Sequence, residues 1–425
     1  LTVGDGDAKG LSRRHFLGGV GAVGVGVAGV VAAGATVAAV ADAVASSGGA
    51  AGAEDSGTVP FYGDHQAGIA TPAQDRLAFG SLTIVEGAER GDIRQLLQQW
   101  TAAADKMTRG ELVGSVSDPN APPLDTGEAV GLPVGNLTVT IGYGPSFFDD
   151  RLGLSSKKPK ALVDLPALPN EDLDPNYVGG DLCIQACSDD PLVAFHAVRN
   201  LARLGMGVVE NNWMELGFGR TSTTSTSQST PRNLLGFKDG TRNIRAEDAP
   251  LMDGYVWVGD ESDQAWLRGG SYLVARRIRI FVENWDRDYL SDQENVIGRS
   301  KVSGAPLTGG TEFSTPQFDV TTTTGSPVIP AHAHIRLASF EENDNVRILR
   351  RGYSFTDGID PESGALLGGL FFLAYMKHPE QFIKLQQKLG TSDALNEYIQ
   401  HIGSAVFACP PGLRPGHSFG DDLFA

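Results

Sequence analysis

GGDLCIQACSDDPLVAFHAVRNLARLGMGVVENNWMELGF, residues 179–218, contains a strand, a helix and a second strand in one short span. Alternating apolar residues in GGDLCIQACSDD (179–190) read as a strand, and the spacing changes to helical over 191–205. Pro191 stands in the first turn of that helix and Gly205 at its end, the positions each residue favours. VVENNWMELGF then closes the unit as a strand. Upstream, FGSLTIVEG (79–87) and NLTVTIGYG (136–144) read as strands flanking a helix over 91–107, with Asp92 near its start.

The same rhythm returns downstream. SYLVARRIRIFVENW (271–285) reads as a strand and LSDQENVIGRSK (290–301) as a short helix. AHIRLAS (333–339), VRILRRGYSF (346–355) and the apolar GGLFFLAYMK (368–377) read as strands, and HPEQFIKLQQKLG (378–390) as a helix. Two βαββαβ units imply an α+β protein of two ferredoxin-like domains with antiparallel sheets, of the dimeric α+β barrel type. The expected domains are 76–235 and 236–425. The polar run TSTTSTSQSTPRN (221–233) connects them.

The chain has 425 residues, 41% hydrophobic and 20% charged, with a formal net charge of −17. That composition suits globular domains with substantial cores and disfavours nucleic acid or an anionic membrane as partner. None of the three cysteines, Cys183, Cys187 and Cys409, forms a CxxC pair. On one strand Cys183 and Cys187 would lie roughly 13 Å apart, too far for a disulfide, so all three read as small buried hydrophobes.

Arg13 and Arg14 in LSRRHFLGG (11–19) precede a Gly, Ala and Val run whose next charge is Asp42. This layout is that of a twin-arginine signal, and Ala43-Val44-Ala45 before Ser46 has the small residues of a cleavage site. Residues 1–45 are therefore expected to be a signal peptide and 46–75 a flexible linker outside the fold. The expected location is periplasmic, cell-surface or extracellular, without stable membrane association after cleavage.

In GFKDGTRN (236–243), Asp239-Gly240 is a turn signal that could also present a working acid. His332 and His334, if on a strand, share one face and could bind zinc, although a third ligand is missing; a single imidazole on haem iron is the other metal reading. Arg350 and Arg351 would point to opposite faces of a strand, and an inward arginine needs an anionic partner. The five tryptophans read as packing residues.

Taken in order, GFKDGTRN, NWDRDYLSDQENVIGRSKVSGAPL (284–307), AHIRLAS, RILRRGYSF and GGLFFLAYMKHP resemble the dye-decolorizing peroxidases, in particular the exported deferrochelatase/peroxidase branch. The resemblance spans about residues 76–420. It implies two ferredoxin-like domains with one haem b per chain in the second. It also implies His334 as proximal iron ligand, Asp239 as distal acid/base and Arg350 as distal arginine. Gly240, Thr241 and Arg242 would lie along the haem, and Leu370 and Phe372 would contact it. The segment SFEENDNV (339–346) departs from the family form, so haem contacts are not carried over to Ser339–Glu341. Asp393 or Glu397 would support the proximal imidazole, and Tyr353 would relay electrons. The implied activity is reduction of hydrogen peroxide, with one-electron oxidation of a bulky dye or phenolic reductant. Release of iron from haem and non-catalytic haem carriage are the alternatives.

Overall fold

The computed structural model describes residues 57–424. The expected signal peptide, residues 1–45, lies outside the described residues. The strands are β1 (Arg76–Ile84), β2 (Thr138–Tyr143), β3 (Leu182–Ser188), β4 (Val209–Arg220), β5 (Ser271–Ile280), β6 (Leu349–Arg350), β7 (Tyr353–Ile359), β8 (Leu366–Met376) and β9 (Ile399–Cys409). The helices are α1 (Arg90–Thr108), α2 (Pro191–Leu204), α3 (Ala249–Tyr255), α4 (Val282–Trp285), α5 (Leu290–Ile297), α6 (His334–Leu337), α7 (Glu380–Ser392) and α8 (Asp421–Phe424).

Local chemistry sets the two long helices of the first half. The Asp190 carboxylate accepts from the N–H groups of Leu192 and Val193 at 2.7 and 3.3 Å, capping α2 immediately before Pro191. Glu89 and Asp92 form a reciprocal capping box that starts α1. The Trp100 indole of α1 donates to the Leu201 carbonyl of α2 at 2.8 Å, which fixes the two helices against each other.

The antiparallel sheet runs β5-β9-β2-β3-β1-β4-β7-β8-β6, and an additional β5–β8 pairing closes eight strands into a barrel. Within each half the spatial order is fourth, first, third, second strand: β4-β1-β3-β2, then β9-β5-β8-β7. This is the ferredoxin-like order expected from the βαββαβ rhythm. Alternate residues such as Phe79, Cys183, Leu273, Phe371, Tyr375 and Phe407 fill the barrel, while helices α1 and α2 contribute to a second apolar cluster. All three cysteines are free and buried, and all five tryptophans are buried.

Three expectations change. The strand expected over 271–285 ends at Ile280, and residues 282–285 form a helical turn. AHIRLAS is the short helix α6, closed by Leu337 N–H to Ala333 and Ala338 N–H to His334. Four residues of alternation are too few to separate a period of 2 from one of 3.6. Residues 57–75, expected as the tail of a linker, are folded in: Ile69 is fully buried and Gln66, Ala73 and Gln74 nearly so. The fully buried Arg351 guanidinium donates to the Thr71 carbonyl and to the Gln74 side chain. Among the described residues, no helix is long and apolar enough to cross a membrane.

The halves meet at two short seams, β2 with β9 at Tyr143↔Ala408 and β4 with β7 at Phe218↔Ser354 and Arg220↔Tyr353. Near the second seam Arg277 pairs with Glu215 at 2.6 Å and also with Asp357, its guanidinium stacked over Tyr177 and Phe355. Burial raises the Glu215 carboxyl to about 7, with Arg277 opposing and Asp357 adding to the rise. The folded state therefore holds this proton more tightly than the unfolded chain. The resulting stability is present below about pH 4.5 and is lost as pH rises through 7. Relative to Glu215→Gln, the wild type should lose about 2–3 kcal/mol between pH 5 and pH 8, read from thermal or denaturant unfolding at the two pH values. Parallel stability curves for the two proteins would refute this.

Candidate active site

One face of β5 and β8 looks away from the barrel and forms part of a cavity wall through Ile278, Ile280, Leu370 and Phe372. The strand period of two makes this separation: Phe371 and Leu373 fill the barrel while Leu370 and Phe372 face the cavity. The turn at 236–243, the segment after α5, α6 and α7 complete the enclosure.

Helix α6 places His334 in this cavity, where its side chain keeps 32% of its exposure. Nδ1 lies 2.6 Å from Asp393 Oδ2, so Nδ1–H donates to the carboxylate and Nε2 keeps its lone pair for a ligand. Asp393 Oδ1 accepts from Leu395 N–H at 2.9 Å, which orients the carboxylate. Of the two candidate carboxylates the structure selects Asp393 over Glu397. Burial opposes charging of the imidazole, but Asp393, through its charge and hydrogen bond, outweighs it and raises the His334 pKa. His332 is exposed, with Nδ1 3.1 Å from the Ser392 carbonyl, and does not join His334 in a zinc site. Among the described residues no group of three or more metal-ligating side chains is assembled.

Asp239 and Arg350 enter the same cavity from elements 111 residues apart. Arg350 Nη1 donates to Asp239 Oδ1 at 2.7 Å, and Asn233 Nδ2 donates to Oδ2 at 3.1 Å. Arg351 points to the other side of the strand, into the core, as the alternation implied.

Gly240 has φ 89°, and a Cβ there would come within 2.7 Å of the Ser222 Cα. Its missing side chain thus serves contact with the chain itself, on the buried residues 221–225, which are packed core and no loose connection. Thr241 and Arg242 line the cavity, but their polar ends are engaged. The Thr241 hydroxyl donates to Glu312, and Arg242 forms a two-pronged pair with Glu341 at 2.6 and 3.0 Å while stacking over Phe340. Ser339 and Phe340, left out of the expected contacts, line the cavity too. Tyr353 is fully buried in the barrel core and is no surface relay.

Arg299 was not singled out by the sequence. It lines the cavity at 5% exposure, and its Nη1 donates to the carbonyls of Gly304 and Glu312 at 2.7 and 2.9 Å. Among the described residues it has no carboxylate within ion-pair distance. Burial first, then the Arg242 charge, lowers its pKa to about 10, against the partial support of Glu312. A buried guanidinium at a cavity wall without its own anion suits a ligand that carries carboxylates. A free imidazole Nε2, an apolar slot and such a cation together fit haem, whose flat apolar ring bears an iron and two propionates. The only advance signal was its place in the quoted NWDRDYLSDQENVIGRSKVSGAPL.

Comparison with known proteins agrees with this geometry. Residues 66–219 match the family described as Dyp-type peroxidase, N-terminal, and 230–414 that described as Dyp-type peroxidase, C-terminal. The chain is 36% identical over 366 residues to the deferrochelatase of Escherichia coli strain K12, covering 85% of each chain. Its fold is similar to that of DtpA from Streptomyces lividans, solved as an oxyferrous/water mixed complex, with TM-score 0.80 and 37% identity over 87% of this chain and 99% of that one. A DyP-type peroxidase from Streptomyces coelicolor gives TM-score 0.80 and 37% identity over 87% and 98%.

Proposed function

The chain belongs to the Dyp-type peroxidase family, haem-dependent oxidoreductases that act on peroxide, and from that premise we propose how its own residues divide the work. His334 holds the iron of haem b through Nε2, with Asp393 fixing the ring's tautomer and raising its electron donation. Arg299 takes a propionate. Leu370 and Phe372 contact the ring, and Gly240, Thr241 and Arg242 border it. Bound haem supplies the iron at which peroxide is reduced and the store for the two oxidising equivalents.

The observation that carries the reading is the Asp239–Arg350 pair in the same cavity as the His334–Asp393 pair. Asp239, as carboxylate, accepts the proton of the peroxide's inner oxygen and returns it to the outer one, so that the leaving group departs as water. Arg350, permanently cationic, donates hydrogen bonds to the peroxide and stabilises the negative charge that builds on the departing oxygen. Asn233 holds the second Asp239 oxygen and limits its rotation. Rapid mixing of the haem-loaded protein with peroxide tests the assignment. Arg350→Leu should keep its haem absorption and react at least about 10-fold more slowly, whereas an unchanged rate would remove Arg350 from the chemistry.

The haem lies in the second half, within 236–425, of a chain with ferredoxin-like domains at 76–235 and 236–425. The electron donor is a bulky dye-like or phenolic compound, and the protein is exported by the twin-arginine route to the periplasm, cell surface or exterior. A second reading has a specific support, the relatives named deferrochelatase: iron leaves haem with the porphyrin ring intact. Incubation with haem followed by assay for free protoporphyrin separates the two activities.

Arg299 offers a test that does not depend on turnover. Arg299→Gln retains an N–H donor for the Gly304 and Glu312 carbonyls but removes the charge. Haem affinity should fall about 10- to 100-fold, the worth of one charge-assisted hydrogen bond. Undiminished affinity in a haem titration would refute the propionate assignment.

A further inference from the structure

Both seams between the halves run out of strand before they run out of backbone that needs a partner. At the first, a side chain takes the place of the missing strand: Ile141 of β2 donates its N–H to Gln66 Oε1 at 2.8 Å and accepts from Gln66 Nε2 at 3.0 Å, while Nε2 also reaches the Pro410 carbonyl beyond β9. One carboxamide thus satisfies both backbone groups of an edge residue, as an antiparallel neighbour would.

The second seam repeats the device beside the catalytic cavity. β6 and β7 are one interrupted strand, since Leu349↔Tyr375, Arg350↔Ala374 and Tyr353↔Phe371 keep the same register on β8. β4 pairs with it at Ser354 and Tyr353, the last bond is Thr221 N–H to the Gly352 carbonyl, and then the chain leaves the sheet. Arg351 turns its N–H to Leu373 of β8. The N–H and C=O of Arg350 face the vacated edge, and Asn243 meets both. Arg350 N–H donates to Asn243 Oδ1 at 2.8 Å, and Asn243 Nδ2 donates to the Arg350 carbonyl at 2.8 Å and to the Thr223 carbonyl at 2.9 Å. Asn243 is 9% exposed, and both of its amide donors and its acceptor are in use.

Asn243 follows Asp239 by four residues in the same turn. The two elements that carry the distal acid and the distal arginine are therefore joined twice: by the Asp239–Arg350 side-chain pair, and by the Asn243 carboxamide on the Arg350 backbone. The first joint weakens whenever Asp239 takes up the peroxide proton, because a neutral carboxyl holds the guanidinium less strongly than a carboxylate. The second involves no atom that reacts. We propose that Asn243 is a positioning residue that holds the Arg350 backbone in register with the Asp239 turn, so that the ion pair can open to peroxide and re-form without the two elements separating. This rests on the roles proposed above for Asp239 and Arg350.

The test uses the haem-loaded full chain. Asn243→Ala removes the clamp; Asn243→Asp keeps the acceptor for the Arg350 N–H but sets an oxygen against two carbonyl oxygens, and so serves if the alanine variant folds poorly. Gln66→Ala removes the equivalent carboxamide at the other seam, and it should lower the melting temperature while leaving the peroxide rate unchanged. For the Asn243 variants, amide hydrogen exchange at Arg350 should quicken and the second-order rate constant for peroxide should fall about 10- to 100-fold, as displacement of an aligned catalytic group does. In an Arg350→Leu background the Asn243 substitution should slow peroxide no further, because its effect passes through the guanidinium. Unchanged exchange at Arg350, or the same additional slowing in the Arg350→Leu background, would overturn the proposal. A normal peroxide rate in Arg350→Leu alone would instead overturn the assigned role of Arg350, and the exchange measurement would still decide whether Asn243 clamps that strand.

Discussion

Asp239→Asn should retain haem and react with peroxide about 10²- to 10⁴-fold more slowly than the wild type, the span a positioned general base contributes. The substitution is isosteric and neutral. Its carbonyl oxygen can still accept from Arg350 Nη1, so Arg350 keeps one partner and the cavity keeps its shape. What disappears is the ability to take a proton at one oxygen and return it. The new amide also meets Asn233 Nδ2, a donor, where a carboxylate oxygen accepted. Asp239→Ala serves as the comparison: it removes the proton acceptor without creating that donor contact. Stopped-flow absorbance against peroxide concentration gives the second-order constant for each variant. A wild-type constant in both would transfer the proton step to another group.

His334→Ala has the other large expected effect, loss of stable haem retention. Two imidazoles among the described residues line the cavity: His334 has one ring nitrogen bonded to a buried carboxylate, leaving Nε2 for iron, whereas His401 Nε2 meets the Gln386 amide. Removal of the His334 ring also leaves Asp393, 2% exposed, without the imidazole N–H. That orphaned acceptor should lower stability by about 1–3 kcal/mol, so melting of the haem-free protein must be measured beside haem content. Added imidazole separates the two effects, since a free ring could occupy the vacated space and offer a nitrogen to the iron. The haem absorption should return with imidazole. A variant that keeps haem and an unaltered spectrum without it would refute the ligand assignment.

Much of the scaffold is legible because its signals are local. Pro191 and Gly205 bound α2 at its two ends, and the alternating residues of 179–190 read as a strand, which β3 forms, although with both faces buried where alternation alone implies one. His334, Asp239 and Arg350 stand in quoted motifs, and the structure brings all three into one cavity. The local form around His334 is not legible in the sequence, because Ala-His-Ile-Arg-Leu suits a strand as well as the helical turn it forms. Arg299 has no such signal, because a buried arginine held by backbone carbonyls has no sequence signature.

The amino-acid sequence by itself determined the two βαββαβ halves and the acidic character of the chain, which depend on residue type and on spacing within a few positions. His334, Asp239 and Arg350 were singled out by the resemblance of their motifs to a family, not by spacing alone. Only the tertiary structure decided which carboxylate supports His334, that residues 57–75 belong to the fold, and that Gln66 and Asn243 stand in for missing strands. Those outcomes join groups such as His334 and Asp393, 59 residues apart, or Asn243 and Arg350, 107 apart. Barrel closure leaves backbone groups of Ile141 and Arg350 without a neighbouring strand, where the Gln66 and Asn243 carboxamides stand, while the His334–Asp393 pair depends on the packing of α6 against the end of α7.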